Sequence, residues 1–356
     1  MSEPAVSFLV PVYNSTHYGA DYLPKLLQSI QAQAFGDFEV LIGDDASTDG
    51  TIELVQPFLS DVRFRLFRKT QNRGLHHNLV SLLEKARGQF WCPPGQDDIL
   101  HPQFLEKRIP IFMSHPSAVV LHGATIWIDE NGKPYVSDFT RRVLPELNRR
   151  LPASMSGERM LRILLQHNIV NWPSALVRMD ATRRVLPYFT PRWVWAMDWM
   201  LWMLLTANGG DFLWDSEPLM NYRMHKQSIS GSPQNEAVRQ MERKLAPLYT
   251  LSVTSAFSAR TKTIWLEQRL RLYRWWLITT VTLKRKGVLK QSDLLLAAAA
   301  FHGTPVASIS LASELFHHGI PMIFQYGREK FARRRQIMQV SGLSLIDDPL
   351  FQKKLK

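Results

Sequence analysis

Short apolar segments alternate with amphipathic segments along the first part of the chain. Apolar runs of about five residues occur at 6–10, 38–42 and 89–92, a length typical of buried strands. In the segments between them, apolar residues recur at intervals of three and four, which predicts helices with one buried face. The first such series is Leu23, Leu26, Leu27 and Ile30. This alternation predicts an α/β fold, with a mostly parallel sheet covered by helices.

A polar turn follows each of four predicted strands, which are the three apolar runs and the alternating segment of Val62, Phe64 and Leu66. The turns are Tyr13-Asn14, Asp44-Asp45, Asn72-Arg73-Gly74 and Asp97-Asp98. Ligands of such sheets bind beyond the carboxyl ends of the strands, so we expect the four turns to line one crevice. The region contains neither a GxGxxG fingerprint nor a GxxxxGK[ST] loop, which counts against dinucleotide oxidoreductases and P-loop NTPases.

The adjacent carboxylates of Asp97 and Asp98 need a compensating group. They come at the end of an apolar run, where repulsion and desolvation raise the cost of two charges. A divalent cation that carries a diphosphate would compensate them, because hard cations take carboxylate and phosphate oxygens together. A helix N-cap is the structural alternative. The stretch by itself leaves both interpretations open.

Two further side chains downstream are candidates for chemistry. Asp198 begins an otherwise apolar and aromatic predicted helix. It is either an N-cap or a carboxylate general base held by a rigid helix start. His225 follows a short apolar segment and is either a surface residue or a ligand of metal or phosphate. Residues 141–153 are basic and contain two prolines, which predicts a loop.

Charge divides the chain into two parts. The formal net charge of +12 lies entirely in residues 231–356, where basic residues outnumber acidic ones by 20 to 8. This asymmetry predicts a second region that faces an anionic partner. The single cysteine, Cys92, excludes an internal disulfide and fits a reducing cytosol. We find no secretory signal and no apolar run of the roughly 18 residues that a membrane span needs.

The basic region has the features of an interfacial helix. Residues 264–286 combine an apolar stripe with tryptophans and arginines, as in helices that lie on anionic lipid. A helix packed against the catalytic domain would show the same pattern, and both interpretations stay open. A second basic segment at 328–335 supports a surface interaction. We therefore expect a cytoplasmic protein, peripheral on the inner face of the cell membrane if the lipid interpretation holds.

The motifs together resemble the family 2 inverting glycosyltransferases, which have the GT-A fold. The resemblance runs over roughly residues 5 to 230, and five segments in this order carry it: 6–14, 39–51, 72–74, 96–100 and 197–202. It implies a catalytic GT-A domain at 1–230, in which helices flank a Rossmann-like sheet. A helical, basic C-terminal extension at 231–356 would follow. It also implies bacterial polysaccharide or glycolipid synthesis.

The resemblance implies a nucleotide-diphosphate sugar as donor and a glycan or lipid-linked glycan as acceptor. The residues expected to bind the donor are Pro11, Val12, Tyr13, Asp44, Asp45, Asn72, Gly74, Gln96 and Asp97. The residues expected at a Mg²⁺ or Mn²⁺ ion are Asp97, Asp98 and His225, with Asp98 the first choice for direct contact. His225 matches a histidine that closes over the diphosphate, and Asp198 corresponds to the catalytic base.

Two positions depart from the family pattern. Family members often carry Asp-x-Asp-Asp, but the position two before Asp97 is Gly95, and the usual Glu-Asp pair is Met197-Asp198. The proposed base is retained. The alternatives to a glycosyltransferase are a sugar nucleotidyltransferase and a nucleic-acid-binding protein acting through the basic tail. The first lacks a Gly-rich phosphate loop and the second lacks a recognition motif, so nucleic acid is not the expected partner.

Overall fold

The computed structural model of the protein describes residues 3–19, 21–137, 139–191, 195–225 and 227, and a further set of residues 242, 246, 247, 249, 250 and 254. The basic segments at 264–286 and 328–335 lie outside the described residues. The domain boundary expected after residue 230 stays a prediction.

The elements come in the alternating order that the sequence predicts. The described strands are β1 Val6–Val12, β2 Phe38–Asp44, β3 Phe64–Arg68, β4 Phe90–Cys92, β5 Ile99–Leu100, β6 Ala118–Gly123, β7 Ile126–Ile128, β8 Ser154–Met155, β9 Leu176–Arg178, β10 Asp211–Asp215 and β11 Met220–Arg223. The described α-helices are α1 Tyr22–Gln31, α2 Thr51–Val55, α3 Leu75–Lys85, α4 Phe104–Met113, α5 Leu144–Arg150, α6 Gly157–Leu164, α7 Met179–Val185 and α8 Met197–Ala207. The three apolar runs are thus confirmed as β1, β2 and β4.

A mostly parallel sheet forms the centre of the molecule. Its strand order is β3-β2-β1-β4-β9-β6-β10-β8, and β1 pairs in parallel with both β2 and β4. The chain order therefore reverses beside β1, a topological switch point where a crevice opens beyond the strand ends. Strand β9 is antiparallel to both of its neighbours. The expected α/β class is confirmed.

Helices cover both faces of this sheet. On β1, Phe8 and Val10 belong to one apolar cluster, together with residues of α1 and α4, whereas Leu9 belongs to the other, with residues of α3, α6 and α8. Successive side chains of a strand point to opposite faces, so a fully apolar strand supplies two cores at once. This explains why the sequence of β1 is a continuous apolar run and not an alternating one.

A second, smaller sheet extends the central one beside the switch point. Its order is β5-β11-β7, with β11 antiparallel to β5 and parallel to β7. Strand β5 follows directly after the acidic turn, and β11 ends two residues before His225. The small sheet therefore brings the two ends of a long sequence interval together. Among the described residues, no helix combines the length and the apolar character that crossing a membrane requires.

The loop predicted for residues 141–153 is wrong over most of its length. Residues Phe139–Val143 form a π-helix that leads directly into helix α5, Leu144–Arg150. Pro145 lies at the junction of the two helices, where the hydrogen-bond pattern changes and a missing N–H donor is tolerated.

A buried cation joins α4 to the end of β10. Arg108 is fully buried, and its Nε donates to Asp215 at 3.0 Å while its Nη1 donates to the carbonyl of Ser174 at 2.9 Å. His122 of β6 is buried nearby, with its ring centroid 4.9 Å from that of Trp214. Burial, and secondarily the charge of Arg108, lowers the pKa of His122 from 6.5 to about 3.

The lowered pKa of His122 predicts that the protein loses stability in acid. Between pH 6.5 and about 3 the unfolded chain binds a proton that the folded chain does not, so the free energy of unfolding falls as the pH decreases. The His122→Leu variant lacks this contribution, and its stability should fall less steeply, by up to about 1.4 kcal/mol per pH unit. Urea denaturation of both proteins across this range measures the difference. Parallel pH dependences would contradict the prediction.

Candidate functional site

The loops that follow β1 and β2 are bound to each other. The backbone N–H of Asn14 donates to Ser47 Oγ at 2.9 Å, and the N–H of Thr48 donates to Asn14 Oδ1 at 2.9 Å. Asn14 and Ala46 both have positive φ angles, 46° and 64°. Such backbone is costly for residues other than glycine, and it clusters at ligand sites where surrounding structure maintains it.

The end of β1 presents three residues that the sequence assigns to the donor. Val12 is buried, Pro11 is partly buried, and the side chain of Tyr13 is exposed at the mouth of the crevice. The pairing of Val12 with Asp44 places the ends of β1 and β2 side by side. Tyr13 is therefore the member of this group that is free to contact a bound molecule.

Asp44 and Asp45 are buried at the end of β2, and each uses one oxygen within the protein. Asp44 Oδ1 accepts the N–H of Ser47 at 3.1 Å, whereas Asp45 Oδ2 accepts the N–H groups of Arg73 and Gly74 at 3.1 and 2.7 Å. Asp45 thus holds the predicted Asn72-Arg73-Gly74 turn in place. Gly74 has a φ of 85°, a conformation that favours glycine.

The remaining oxygen of each acid lies near a cation but does not form a hydrogen bond with it. Asp44 Oδ2 lies 3.6 Å from Arg68 Nε, and Asp45 Oδ1 lies 3.5 Å from Lys69 Nζ. Within the described part of the chain, neither oxygen has a hydrogen-bond partner, and neither does Lys69 Nζ. Buried polar atoms of this kind are expected to have a partner, so they mark a place where a ligand could supply one.

The acidic turn connects two strands and does not begin a helix. Residues Ile99–Leu100 form β5 directly after Asp98, and α4 begins only at Phe104. The helix-cap interpretation of the Asp97-Asp98 pair is therefore wrong. Gln96 in the same turn accepts a hydrogen bond from Ser15 Oγ at 2.7 Å, which ties the loop after β1 to the loop after β4 across the switch point.

Asp98 and Asp97 occupy different environments within this turn. Asp98 is 1% exposed, and its carboxylate accepts the N–H groups of Gly95 and Arg223, both at 3.0 Å. Burial, followed by the neighbouring charge of Asp97, raises the pKa of Asp98 well above its usual value. The Asp97 side chain retains 19% exposure. Asp97 is therefore the carboxylate of the pair that a ligand can reach.

Gly95 is required by the positions of both carboxylates. A Cβ atom at this residue would lie 2.6 Å from Asp98 Oδ2 and 2.9 Å from Asp97 Oδ1, closer than van der Waals contact permits. The departure from the Asp-x-Asp-Asp pattern thus has a local reason. In this turn, glycine leaves room for the two carboxylates that follow it.

Arg223 joins the acidic turn to β11. Its backbone N–H binds Asp98, its Nε donates to the carbonyl of Asp97 at 2.9 Å, and its Nη1 donates to the carbonyl of Asp129 at 3.0 Å. The guanidinium group also lies 4.3 Å from the ring centroid of Tyr22. Sequence reasoning missed Arg223, although it stands two residues before the candidate His225.

His225 lies directly beside Asp97. Its Nε2 is 2.8 Å from Asp97 Oδ2, and its ring packs against the rings of Tyr18 and Tyr22 at centroid distances of 5.9 and 5.5 Å. Burial, together with the charge of Asp97, raises the pKa of Tyr18. Residues 128 positions apart in the sequence thus form one contact.

Asp97 and His225 fit a divalent cation in their chemistry. Carboxylate oxygen and imidazole nitrogen both coordinate divalent cations such as Mn²⁺. An ion bound to a nucleotide takes few protein ligands, because phosphate and water supply the others. Among the described residues, no group of three or more potential metal-binding side chains occurs. Asp98 is bonded internally, and this geometry favours Asp97 over Asp98 for direct contact, which reverses the order expected from the sequence.

Asp198 lies in the first turn of α8, and its carboxylate is held on both sides. Oδ2 accepts from Asn168 Nδ2 at 2.8 Å, and Oδ1 accepts the N–H of Trp199 at 2.7 Å. The N-cap position of α8 is Ala196 and not Asp198. Asn168 was missed in the sequence, where an isolated asparagine far from the helix carries no signal.

A mostly parallel sheet with a switch point at β1, and an acidic turn after β4 that contacts a distant histidine, are the features expected of a glycosyltransferase of the GT-A type. The chain belongs to glycosyl transferase family 2, whose family model matches residues 7–186. The resemblance to family 2 that the motifs carry is thereby confirmed.

Relatives of known sequence include bacterial glycosyltransferases. The chain is 24% identical over 259 residues to TuaG of Bacillus subtilis (strain 168), a glycosyltransferase named for teichuronic acid biosynthesis, covering 72% of this chain and 94% of TuaG. It is 29% identical over 133 residues to the glycosyltransferase EpsE of the same strain, covering 37% of this chain. The match spans about half of EpsE, at 46% of its length.

Solved structures show the same fold. The crystal structure of Staphylococcus aureus TarS residues 1–349 in complex with UDP-GlcNAc matches with a TM-score of 0.52 and 19% identity, covering 77% of this chain and 79% of that one. The mannosyltransferase PcManGT from Pyrobaculum calidifontis, in complex with GDP-Man and Mn²⁺, matches with a TM-score of 0.51 and 17% identity, covering 100% of this chain and 87% of that one. At these identities the likeness establishes the fold.

Gly95 supplies a test of the acidic turn. In Gly95→Ala the added methyl group must displace one or both carboxylates, and we expect glycosyl transfer to fall at least about tenfold because small misplacements in active sites are costly. Gly36→Ala is the matched control, since a Cβ there meets no atom within 4 Å. Initial rates and melting temperatures of both variants provide the measurement. Full activity of Gly95→Ala would contradict the assignment.

Proposed function

We propose that the protein is an inverting glycosyltransferase that moves a sugar from a nucleotide-diphosphate sugar to an acceptor hydroxyl, with Asp198 as base and a divalent cation at Asp97 and His225. The observation that carries this proposal is the 2.8 Å contact between Asp97 and His225 at the switch point. Membership of family 2 supports a transferase over the two alternatives, a sugar nucleotidyltransferase and a nucleic-acid-binding protein.

The donor nucleotide would occupy the crevice formed by the loops after β1, β2 and β4. The partnerless oxygens of Asp44 and Asp45 could accept N–H or O–H groups of the base and ribose. Lys69 could donate to a carbonyl oxygen of the base. Tyr13, exposed at the end of β1, would flank it. The UDP-GlcNAc in the TarS complex and the GDP-Man in the PcManGT complex support this substrate class.

The diphosphate would lie near Asp97 and His225. A bound Mg²⁺ or Mn²⁺ ion would neutralise charge that develops on the leaving diphosphate. The Mn²⁺ in the PcManGT complex supports a cation of this type. The role of Asp98 and Arg223 is then to fix the turn that carries Asp97, because both side chains are buried and bonded to backbone groups.

Asp198 would remove the proton from the acceptor hydroxyl as that oxygen attacks the anomeric carbon. The bond from the sugar to the diphosphate breaks on the opposite face, so a single displacement inverts the anomeric configuration. Asn168 and the N–H of Trp199 orient the carboxylate. The rigid start of α8 fixes its position relative to the acceptor.

The acceptor would be a glycan or a lipid-linked glycan used in bacterial polysaccharide synthesis. The relation to TuaG, named for teichuronic acid biosynthesis, supports this class. The basic segments at 264–286 and 328–335 would hold the enzyme to the cytoplasmic face of an anionic membrane. Such an arrangement would bring the site close to lipid-linked acceptors.

The Asp198→Asn variant tests the proposed base. We expect transfer to fall at least about a hundredfold because the amide cannot accept the proton, while donor affinity stays within about twofold. Asp180→Asn is the matched control, because Asp180 also lies in the first turn of a helix and accepts the N–H of the next residue at 2.7 Å. Initial rates and calorimetric donor titrations measure both effects. Substantial transfer by Asp198→Asn would refute the assignment.

A comparison of Asp97→Asn with Asp98→Asn tests the metal assignment. Calorimetric titration with a panel of nucleotide sugars, with and without Mg²⁺ or Mn²⁺, should show that Asp97→Asn loses the increase in donor affinity that the cation provides. Asp98→Asn should retain much of that increase and lose mainly thermal stability, because its carboxylate binds two backbone N–H groups. The reverse result would restore Asp98 as the direct ligand.

A further inference from the structure

One carboxylate from the C-terminal region holds the entrance to helix α8. Glu242 Oε2 accepts the backbone N–H of Trp195 at 2.6 Å and that of Ala196 at 2.9 Å. Glu242 is only 4% exposed. The two residues that it binds immediately precede α8, whose second residue is Asp198. The contact therefore lies two residues from the proposed base.

Glu242 is part of a buried face and not an isolated contact. Glu242, Ala246, Thr250 and Thr254 have helical backbone and are 4%, 0%, 0% and 0% exposed. Residues spaced by four lie on the same face of a helix. Ala246 belongs to the same apolar cluster as most of α8, so this face is part of the core that supports the helix carrying Asp198.

The two hydrogen bonds are expected to be strong. Backbone N–H groups at a helix start have no partner within the helix. A carboxylate accepts them through charge-assisted bonds and interacts favourably with the positive end of the helix. Ala196 is buried and Trp195 is partly buried. Removal of the carboxylate would therefore take away an acceptor that water replaces poorly, and the segment would shift to find new partners.

We propose that Glu242 is a positioning residue for the base, through which the C-terminal region sets the geometry of the active site. Glu242 acts on Asp198 by fixing the backbone that enters α8. The proposal rests on the assignment of Asp198 as base. It gives part of the region after residue 230 a role in catalysis as well as in any surface interaction.

Three substitutions at Glu242 in the full chain test this role. Glu242→Ala should lower kcat at least about tenfold and leave the KM for the donor within about threefold. Glu242→Gln retains an oxygen that can accept both N–H groups, and we expect it to keep at least half of the wild-type kcat. Glu242→Asp retains the charge on a shorter side chain and should fall between these two. Glu84→Ala, an exposed substitution on α3, is the control.

The outcomes distinguish a positioning role of Glu242 from a purely structural one, and from a failure of the base assignment of Asp198. A kcat for Glu242→Ala equal to wild type, per mole of folded protein, would overturn the proposal. If Glu242→Ala does not fold, the kcat values of the other two variants decide. The proposal expects Glu242→Gln to be more active than Glu242→Asp. Full activity of Glu242→Asp with an inactive Glu242→Gln would overturn it, because the charge and not the length of the side chain would then be required. Failure of the base assignment is distinguished by Asp198→Asn, which would then remain active whatever happens at Glu242.

Discussion

The hydrogen bonds between Asp98, Gly95 and Arg223 determine the rest of the site. Asp98 is buried with its carboxylate bonded to the N–H groups of Gly95 and Arg223, so it closes the turn after β4 and attaches that turn to β11. A buried carboxylate is costly, and these two donors offset part of the cost. Because Arg223 is thereby held in place, His225, two residues later, is brought against Asp97. The position of the accessible carboxylate, Asp97, therefore depends on the buried carboxylate of Asp98.

The proposed donor side of the site is assembled by loops that support one another. Asn14 joins the loops after β1 and β2, Ser15 joins the loop after β1 to Gln96, and Asp45 holds the turn before α3. Each of these loops is short and polar, and none could hold its conformation alone. The cost of positive φ angles at Asn14 and Ala46 is met by these mutual bonds.

The side of the site that carries the proposed base, Asp198, is built differently. Asp198 stands on a helix that is almost wholly buried, and its surroundings are an amide from Asn168 and a segment held by Glu242. Rigidity here comes from packing of apolar and aromatic side chains against the core, whereas the donor side relies on hydrogen bonds between loops. A transferase must hold donor, acceptor and base in one fixed geometry, and in the proposed mechanism each kind of support would serve one of the two substrates.

The sequence by itself determined the order of elements, the strand-end turns and the family. Apolar runs and three-to-four spacing are local properties, and the turn motifs recur in a fixed order, so both could be read without coordinates. Only the tertiary structure decided which carboxylate is reachable. Asp97 and Asp98 are chemically identical neighbours, and burial by Arg223, 125 residues away from Asp98, separates them. Asn168, Arg223 and Glu242 were missed for the same reason, because their partners are distant in sequence and close only in the fold.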